Sequence, residues 1–147
     1  GQVRKSGEEY ITHPVAVAEI IESIGGGTTM ICAALLHDIF EDSENLEQAQ
    51  DDIYENFNFE VFFIVEALTK DNSIICSNQK QQNYFYKFEQ KIAESPEVFF
   101  IKMADVLHNF STISLLNQKK QEKWIEELEN GYMPIFATHY HEMSKVY

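Results

Sequence analysis

Apolar residues recur along the chain at helical spacing, and short polar breaks separate the apolar runs. No segment shows the sustained alternation typical of a β-strand. We therefore predict an all-α domain of six to eight helices over residues 1–147. The predicted helical segments are Pro14 to Ile21, Thr28 to His37, Ser43 to Phe57, Phe59 to Leu68, Pro96 to about Leu116, Gln118 to Asn130, and a last one after Pro134. The segment from Ser73 to Glu94 is polar and aromatic.

Capping residues and prolines predict where these helices begin. Pro14 suits a first helical turn, and Thr28 or Thr29 is the expected cap of the second helix. Ser95 is the expected cap of the helix whose first turn contains Pro96. We expect Asp71 to Gln82 to form a loop over a pocket, and we expect Gly131 to interrupt the last helical region.

One apolar helix ends in polar side chains that can bind metal or transfer protons. The run from Met30 to Leu36 should be buried, and His37 and Asp38 follow it directly. If the helix continues, Glu41 lies over His37 and Asp42 lies over Asp38. Because a buried, unpaired carboxylate is costly, we expect these groups to be paired or bound to a metal.

A second set of polar residues lies on the predicted helix that begins at Pro96. Lys102, Asp105, Asn109 and Thr112 follow one another at spacings of 3, 4 and 3, which places them on one stripe. The rest of this helix is apolar on several sides, so the stripe should reach a partner or line a cavity. A structural hydrogen-bond network is the alternative. Two polar sets on two buried helices favour a shared metal pocket.

Two histidines and two aspartates complete the predicted metal site. His13, at the start of the first helix, is by itself more typical of packing or capping. Together with His37, Asp38 and Asp105 it gives a mixed nitrogen and oxygen set that suits Mn²⁺, with Fe²⁺ or Zn²⁺ as alternatives. Such a cation activates water and polarises a phosphoryl oxygen. Glu41 and Asp42 are then candidate acid–base or water-positioning groups.

Composition and charge argue against several classes of function. The net charge of −13 argues against non-specific nucleic-acid binding, because no excess of cations is present to bind phosphates. Cys32 and Cys76 form no zinc-binding pattern, and we expect reduced thiols in or near the core of a cytoplasmic protein. No apolar run approaches 18 residues, so we expect no membrane span. His139 and His141 are two residues apart and diverge on a helix, which favours an ordinary polar terminus.

The ordered motifs resemble those of the RelA/SpoT-type HD-domain hydrolases. The resemblance extends from Arg4 to about Thr112 and is weaker up to Pro134. It implies an all-helical HD-domain bundle that removes the 3′-pyrophosphate of (p)ppGpp with Mn²⁺. Small stand-alone members of the family exist, including an animal type that also acts on NADPH. The matching motifs are Arg4-Lys5-Ser6-Gly7, Tyr10-Ile11-x-His13-Pro14, His37-Asp38-x-x-Glu41-Asp42, Thr69-Lys70 and Lys102-x-Ala104-Asp105-x-Leu107-His108-Asn109.

The resemblance implies three groups of site residues. The metal ligands are His13, His37, Asp38 and Asp105. The residues that serve the attacking water are Glu41 and Asp42. The residues that contact the nucleotide substrate are Arg4, Lys5, Ser6, Lys102, Asn109 and Thr112. In this last group Arg4 borders the guanine and Lys102 lies near the phosphates, while Asn109 and Thr112 face the ribose or the 5′-phosphates.

Several departures from the family pattern leave other functions open. Val106 and Ser111 stand where the family usually or often has arginine. The sequence shows no counterpart of the family helix that precedes the first motif, so we expect either that the sequence is truncated or that the fold tolerates the loss of this helix. The length of 147 residues leaves no room for a synthetase domain, so we expect hydrolysis only. One alternative is a phosphatase for another nucleotide, such as NADPH or a nucleoside monophosphate. The other is a degenerate paralogue that binds a nucleotide or a partner protein without turnover.

Overall fold

Nine α-helices make up most of the part of the chain that the computed structural model describes, residues 9–71 and 73–145. A 3₁₀ turn at Ile113–Leu115 and a π-helical turn at Leu128–Tyr132 join the later helices. The predicted all-α fold class is confirmed. The helices are α1 (Thr12–Ser23), α2 (Thr28–Leu36), α3 (Ile39–Asp42), α4 (Leu46–Asn56), α5 (Phe59–Ala67), α6 (Ser77–Glu94), α7 (Pro96–Ser111), α8 (Gln118–Glu127) and α9 (Met133–Met143).

Helix α7 is the centre of the bundle. It packs against α1, α2, α5, α6 and α9. Its apolar residues Val98, Phe99 and Ile101 are buried, as the sequence pattern predicts for a helix enclosed on several sides. Lys102 and Asp105 on the same helix are buried as well. The central position of α7 therefore brings a charged pair into the interior, next to α1 and α2.

Helix α2 ends one residue earlier than the pattern predicts. His37 and Asp38 form a turn, and the short helix α3 begins at Ile39. The Asp38 carbonyl accepts hydrogen bonds from the backbone N–H groups of Glu41, at 3.1 Å, and Asp42, at 3.0 Å. This turn separates α3 from α2, so the helix does not continue past His37 and the condition for stacking Glu41 over His37 and Asp42 over Asp38 is not met. The burial of Met30 to Leu36 is also incomplete, because Leu35 is exposed on the outer face.

The cap predicted for α2 and the start predicted for α4 both differ from the structure, because other residues occupy the cap positions. Gly27 adopts the extended cap conformation of α2, and neither Thr28 nor Thr29 provides a side-chain cap. Helix α4 begins after Asn45, whose side-chain oxygen accepts a hydrogen bond from the Gln48 N–H at 3.1 Å. Ser43 remains extended before it. The physical reason is the same at both sites: the capping residue must have an extended backbone.

Three further boundaries differ from the predicted ones. The loop expected over Asp71 to Gln82 is already helical from Ser77 onward, and α7 ends at Ser111 before a 3₁₀ turn. Gly131 does not interrupt the helical region as predicted. The backbone continues through a π-helical turn into α9. Cys76, expected in or near the core, is exposed at the start of α6. Within the described residues no helix combines the length and the apolar character needed to cross a bilayer.

Replacing Asn58 by alanine should destabilise the protein by about 1 kcal/mol. The Asn58 side chain accepts a hydrogen bond from the Val61 N–H at 2.9 Å and so caps α5. Denaturant unfolding of Asn58→Ala measures this loss. Asn83→Ala, on the exposed face of α6, is the matched control and should leave the unfolding free energy nearly unchanged. An equal effect of the two substitutions would contradict the capping role.

Candidate active site

Four side chains from three parts of the fold meet at one point. His13 lies in the first turn of α1, His37 and Asp38 form the turn between α2 and α3, and Asp105 lies on α7. One ligand atom from each of them lies within 4.8 Å of the others. His13, His37 and Asp105 are buried, and Asp38 is partly buried. The residues that the sequence groups into a candidate metal site are therefore close together.

Short contacts join the four side chains. The Asp105 Oδ1 atom lies 2.7 Å from His13 Nε2 and 3.3 Å from His37 Nε2. The Asp38 Oδ2 atom lies 3.1 Å from His37 Nε2 and 3.9 Å from His13 Nε2. Both Nε2 atoms and both carboxylates thus face one small volume. This arrangement of nitrogen and oxygen donors fits a divalent cation such as manganese, iron or zinc.

A backbone hydrogen bond on the side away from the cluster fixes the orientation of the His37 ring. Its Nδ1 donates a hydrogen bond to the Ala34 carbonyl at 2.6 Å, which leaves Nε2 directed at the cluster. Burial lowers the pKa of His37, but the charge of Asp105 and hydrogen bonds to Asp105 and Asp38 outweigh burial and raise this pKa to about 10. The two carboxylates therefore create a strong field for a positive charge at this point.

Asp105 is held by groups on its own helix. Its Oδ2 accepts a hydrogen bond from the Lys102 ammonium at 2.8 Å, and its Oδ1 accepts one from the Asn109 amide at 3.1 Å. Burial raises the pKa of Asp105, but the charges of Lys102 and His37 outweigh it and hold this pKa well below its usual value. The Asp105 carboxylate is therefore ionised and fixed in direction.

His108 lies next to the cluster, although the sequence pattern predicts no role for it. Its Nδ1 lies 2.7 Å from the Nδ1 atom of His13, and the two rings stack with centroids 4.9 Å apart. When His13 directs an unprotonated Nε2 to the cluster, its Nδ1 carries the proton and donates a hydrogen bond to His108 Nδ1. The spacing in the sequence could have indicated this position, because His108 follows Asp105 by about one helical turn and therefore lies on the same side of α7.

The two candidate acid–base residues have different surroundings. Glu41 lines the cavity beside the cluster, and its Oε1 accepts a hydrogen bond from the Lys70 N–H at 2.8 Å. Burial raises the pKa of Glu41, although that hydrogen bond and the Lys102 charge partly oppose the rise. Asp42 is exposed and accepts a hydrogen bond from the Tyr10 hydroxyl.

The cluster opens into a cavity of about 470 Å³. Of the residues predicted to contact a nucleotide, Lys102, Asn109 and Thr112 line this cavity. The other three, Arg4, Lys5 and Ser6, lie outside the described residues. Lining residues that the sequence analysis leaves without a role are Lys70, Tyr84, Lys123, Trp124, Glu127 and Tyr132.

A family model described as "HD domain" matches residues 1–139 of this chain. The chain belongs to the HD-domain family. The match covers every helix that supplies a candidate ligand, and it agrees with the His37-Asp38 pair between α2 and α3. The family membership expected from the motifs is therefore confirmed.

Curated relatives of this HD domain are longer proteins. A protein named GTP pyrophosphokinase from Streptomyces antibioticus is 38% identical over 135 residues, which cover 92% of this chain and 16% of that protein. A protein named guanosine-3′,5′-bis(diphosphate) 3′-pyrophosphohydrolase from Aquifex aeolicus is 35% identical over 134 residues, which cover 91% of this chain and 19% of that protein. The chain thus spans less than a fifth of the length of these two relatives.

A solved structure shares the fold of this HD domain. It belongs to a metazoan ortholog of SpoT, described as hydrolysing ppGpp and acting in starvation responses. The superposition has a TM-score of 0.68 at 24% sequence identity, and it covers 84% of this chain and 70% of the other. The similarity supports the all-helical HD fold expected from the motifs.

Proposed function

We propose that this chain is a metal-dependent phosphohydrolase that removes the 3′-pyrophosphate of (p)ppGpp, giving GDP or GTP and pyrophosphate. The observation that carries this proposal is the set of four ligand atoms within 4.8 Å, next to a partly buried glutamate in the same cavity. The names of the relatives supply the substrate class. The degenerate alternative is less favoured, because all four ligand positions and Glu41 are retained.

The four residues that would hold the cation are His13, His37, Asp38 and Asp105. We propose Mn²⁺ as the cation, with Fe²⁺ and Zn²⁺ as alternatives, because two imidazole nitrogens and two carboxylate oxygens suit all three. When bound, such a cation supplies Lewis-acid activation of water and of a phosphoryl oxygen. Asp105 and His37 are preorganised for this role by Lys102 and by the Ala34 carbonyl, respectively.

Glu41 is the proposed general base. Its carboxylate takes a proton from the water that attacks the phosphorus bonded to the 3′-oxygen. The bond between this phosphorus and the 3′-oxygen breaks, pyrophosphate leaves, and the 3′-oxygen takes up a proton from solvent water to become a hydroxyl. Asp42 would assist by orienting water at the exposed side, where the Tyr10 hydroxyl fixes its carboxylate. A base with a raised pKa is well matched to this proton transfer near neutral pH.

The nucleotide would occupy the cavity next to the cluster. Asn109 and Thr112 line it one and two helical turns beyond Asp105, which suits contacts to the ribose or the 5′-phosphates. Lys102 lies nearer the cluster, on the proposed side of the reacting phosphates. Arg4, Lys5 and Ser6 are proposed as guanine-side contacts from the resemblance to the family alone.

The direct test is a product analysis. Purified protein is incubated with Mn²⁺ and ppGpp, and the products are separated by ion-exchange chromatography. We expect GDP and pyrophosphate in equal amounts. If the protein binds Mn²⁺ but releases no phosphate or pyrophosphate from any nucleotide in a panel, the proposal of a hydrolase is wrong.

A second substrate class is favoured by one cavity residue. Val106 lines the cavity at a position where the family usually has arginine, so a contact to a highly charged guanosine nucleotide is lost. Ser111, the other departure, is exposed and donates a hydrogen bond to the His108 carbonyl. The alternative substrate is NADPH or a nucleoside monophosphate. A clearly higher kcat/KM for one of these than for ppGpp would support it.

Replacing His108 by alanine should weaken Mn²⁺ binding by about 10- to 100-fold. The substitution removes the hydrogen-bond acceptor that fixes the His13 ring, while all four ligands remain. A competition titration with a chelator measures the affinity. His139→Ala is the matched control, because His139 contacts Glu89 away from the cluster. Unchanged affinity in His108→Ala would exclude this supporting role.

A further inference from the structure

The hydroxyl group of Tyr84 is buried without a well-formed hydrogen bond. The Tyr84 side chain on α6 is 0% exposed, and its hydroxyl makes no hydrogen bond of normal geometry to the residues that the structure describes, although Tyr132 and Lys102 lie close enough to interact with it. Leaving a buried hydroxyl without a partner destabilises a protein. Tyr84 also lines the cavity that holds the His–Asp cluster. A ligand in this cavity is therefore within reach as the missing partner.

Hydrogen-bond donors lie close to the ring that carries this hydroxyl. The Lys102 ammonium lies 5.6 Å from the centroid of the Tyr84 ring and 5.7 Å from that of Tyr132. The Lys70 ammonium lies 5.5 Å from the Tyr84 centroid, and it is also paired with Glu127 at 3.4 Å. Burial raises the pKa of both tyrosines, so each hydroxyl keeps its proton and can donate.

The fold holds Tyr132 opposite Tyr84. Tyr132 ends the π-helical turn, and its ring meets the Tyr84 ring edge-on with centroids 6.3 Å apart. Gly131 allows this approach, because a Cβ atom at that position would lie 2.2 Å from Cζ of Phe85 on α6. A π-helical turn is often found at a functional site. Here it brings a second phenol to the end of the cavity that contains Lys102.

We propose that Tyr84, Tyr132, Lys102 and Lys70 form a phosphate subsite, which holds the pyrophosphate group during and after its release. Two phenol donors and two ammonium groups match the many acceptor oxygens and the negative charge of this group. Lys102 also contacts the cluster carboxylate of Asp105, so the subsite adjoins the proposed reaction centre. The inference rests on the proposed function, which it deepens by naming the place of the leaving group.

The test compares two tyrosines on the same helix. Tyr84→Phe removes only the buried hydroxyl, and Tyr86→Phe removes an exposed one as the matched control. Binding of radiolabelled inorganic pyrophosphate to each protein is measured by equilibrium dialysis in buffer that contains Mn²⁺. We expect Tyr84→Phe to raise the Kd about tenfold or more, as for loss of a hydrogen bond to a charged ligand. Tyr86→Phe should leave the Kd within about twofold.

Thermal unfolding separates this role from a structural one. Because the hydroxyl makes no hydrogen bond of normal geometry within the described residues, Tyr84→Phe should keep the Tm of the wild-type protein or raise it. If Tyr84→Phe binds pyrophosphate as tightly as the wild type, or if the wild type does not bind pyrophosphate, the subsite is wrong. A third outcome is that pyrophosphate binding depends on Tyr84 but the protein does not hydrolyse ppGpp. This result would support the subsite and contradict only the proposed substrate.

Discussion

The Asp105→Asn variant should lose Mn²⁺ affinity and ppGpp hydrolysis by more than about 100-fold each. Asp105 contacts His13 at 2.7 Å and His37 at 3.3 Å, so its charge acts on both imidazoles. An amide of the same size removes that charge and replaces one acceptor oxygen by a donor. Loss of a ligand should cost at least as much as loss of a group that only supports a ligand.

The same substitution should lower the stability of the metal-free protein at neutral pH. It leaves the buried Lys102 ammonium without its charged partner, and breaking a buried ion pair typically costs about 3–5 kcal/mol. The pKa of Asp105 lies below its unfolded value, so its stabilisation is present above that unfolded value and is lost as the pH falls. Denaturant unfolding at pH 7 and at a pH well below the ordinary aspartate pKa of 3.8 should therefore show a smaller gap between the two proteins at the lower pH.

A matched control makes the Asp105 result interpretable. Asp52→Asn removes an exposed carboxylate that accepts a hydrogen bond from Gln48 on α4, away from the cluster. It should leave metal binding, turnover and stability nearly unchanged. Normal Mn²⁺ affinity in a folded Asp105→Asn protein would show that the four side chains are not a metal site.

The cluster could be predicted from the sequence because burial and polarity conflict at two places in the chain. Asp105 interrupts an apolar helix, and His37 and Asp38 end another. Buried carboxylates require partners, so two such places in one small domain are best satisfied by each other. The fold brings His13 and Asp105 together across 92 residues, in agreement with this argument.

The phenol side of the cavity could not be predicted in this way. Tyr84 belongs to an aromatic segment at core spacing, and its ring is indeed in the core. Periodicity identifies the buried face of α6, but it does not show that the hydroxyl at the end of a buried ring reaches a cavity. The role of Tyr132 depends in addition on the π-helical turn, where the sequence pattern predicts a break at Gly131.

Replacing Glu41 by glutamine should lower kcat by about 10²- to 10⁴-fold while Mn²⁺ binding remains intact. Glu41 is not among the four ligands but lines the same cavity, and the amide keeps the size of the side chain. What is lost is the ability to accept a proton from water. Steady-state kinetics and a parallel Mn²⁺ titration separate this effect from the loss of metal expected for Asp105→Asn.

The pH profile provides a readout that a structural role of Glu41 would not change. Burial raises the pKa of Glu41, so the group is protonated, and inactive as a base, at a higher pH than an ordinary glutamate. The wild-type kcat should therefore fall on the acid side through a pKa above the usual value, and this acid limb should be absent in Glu41→Gln. The exposed Glu44→Gln serves as the control and should retain the wild-type profile. An acid limb that persists unchanged in Glu41→Gln would assign the base to another group, with Asp42 as the next residue to replace.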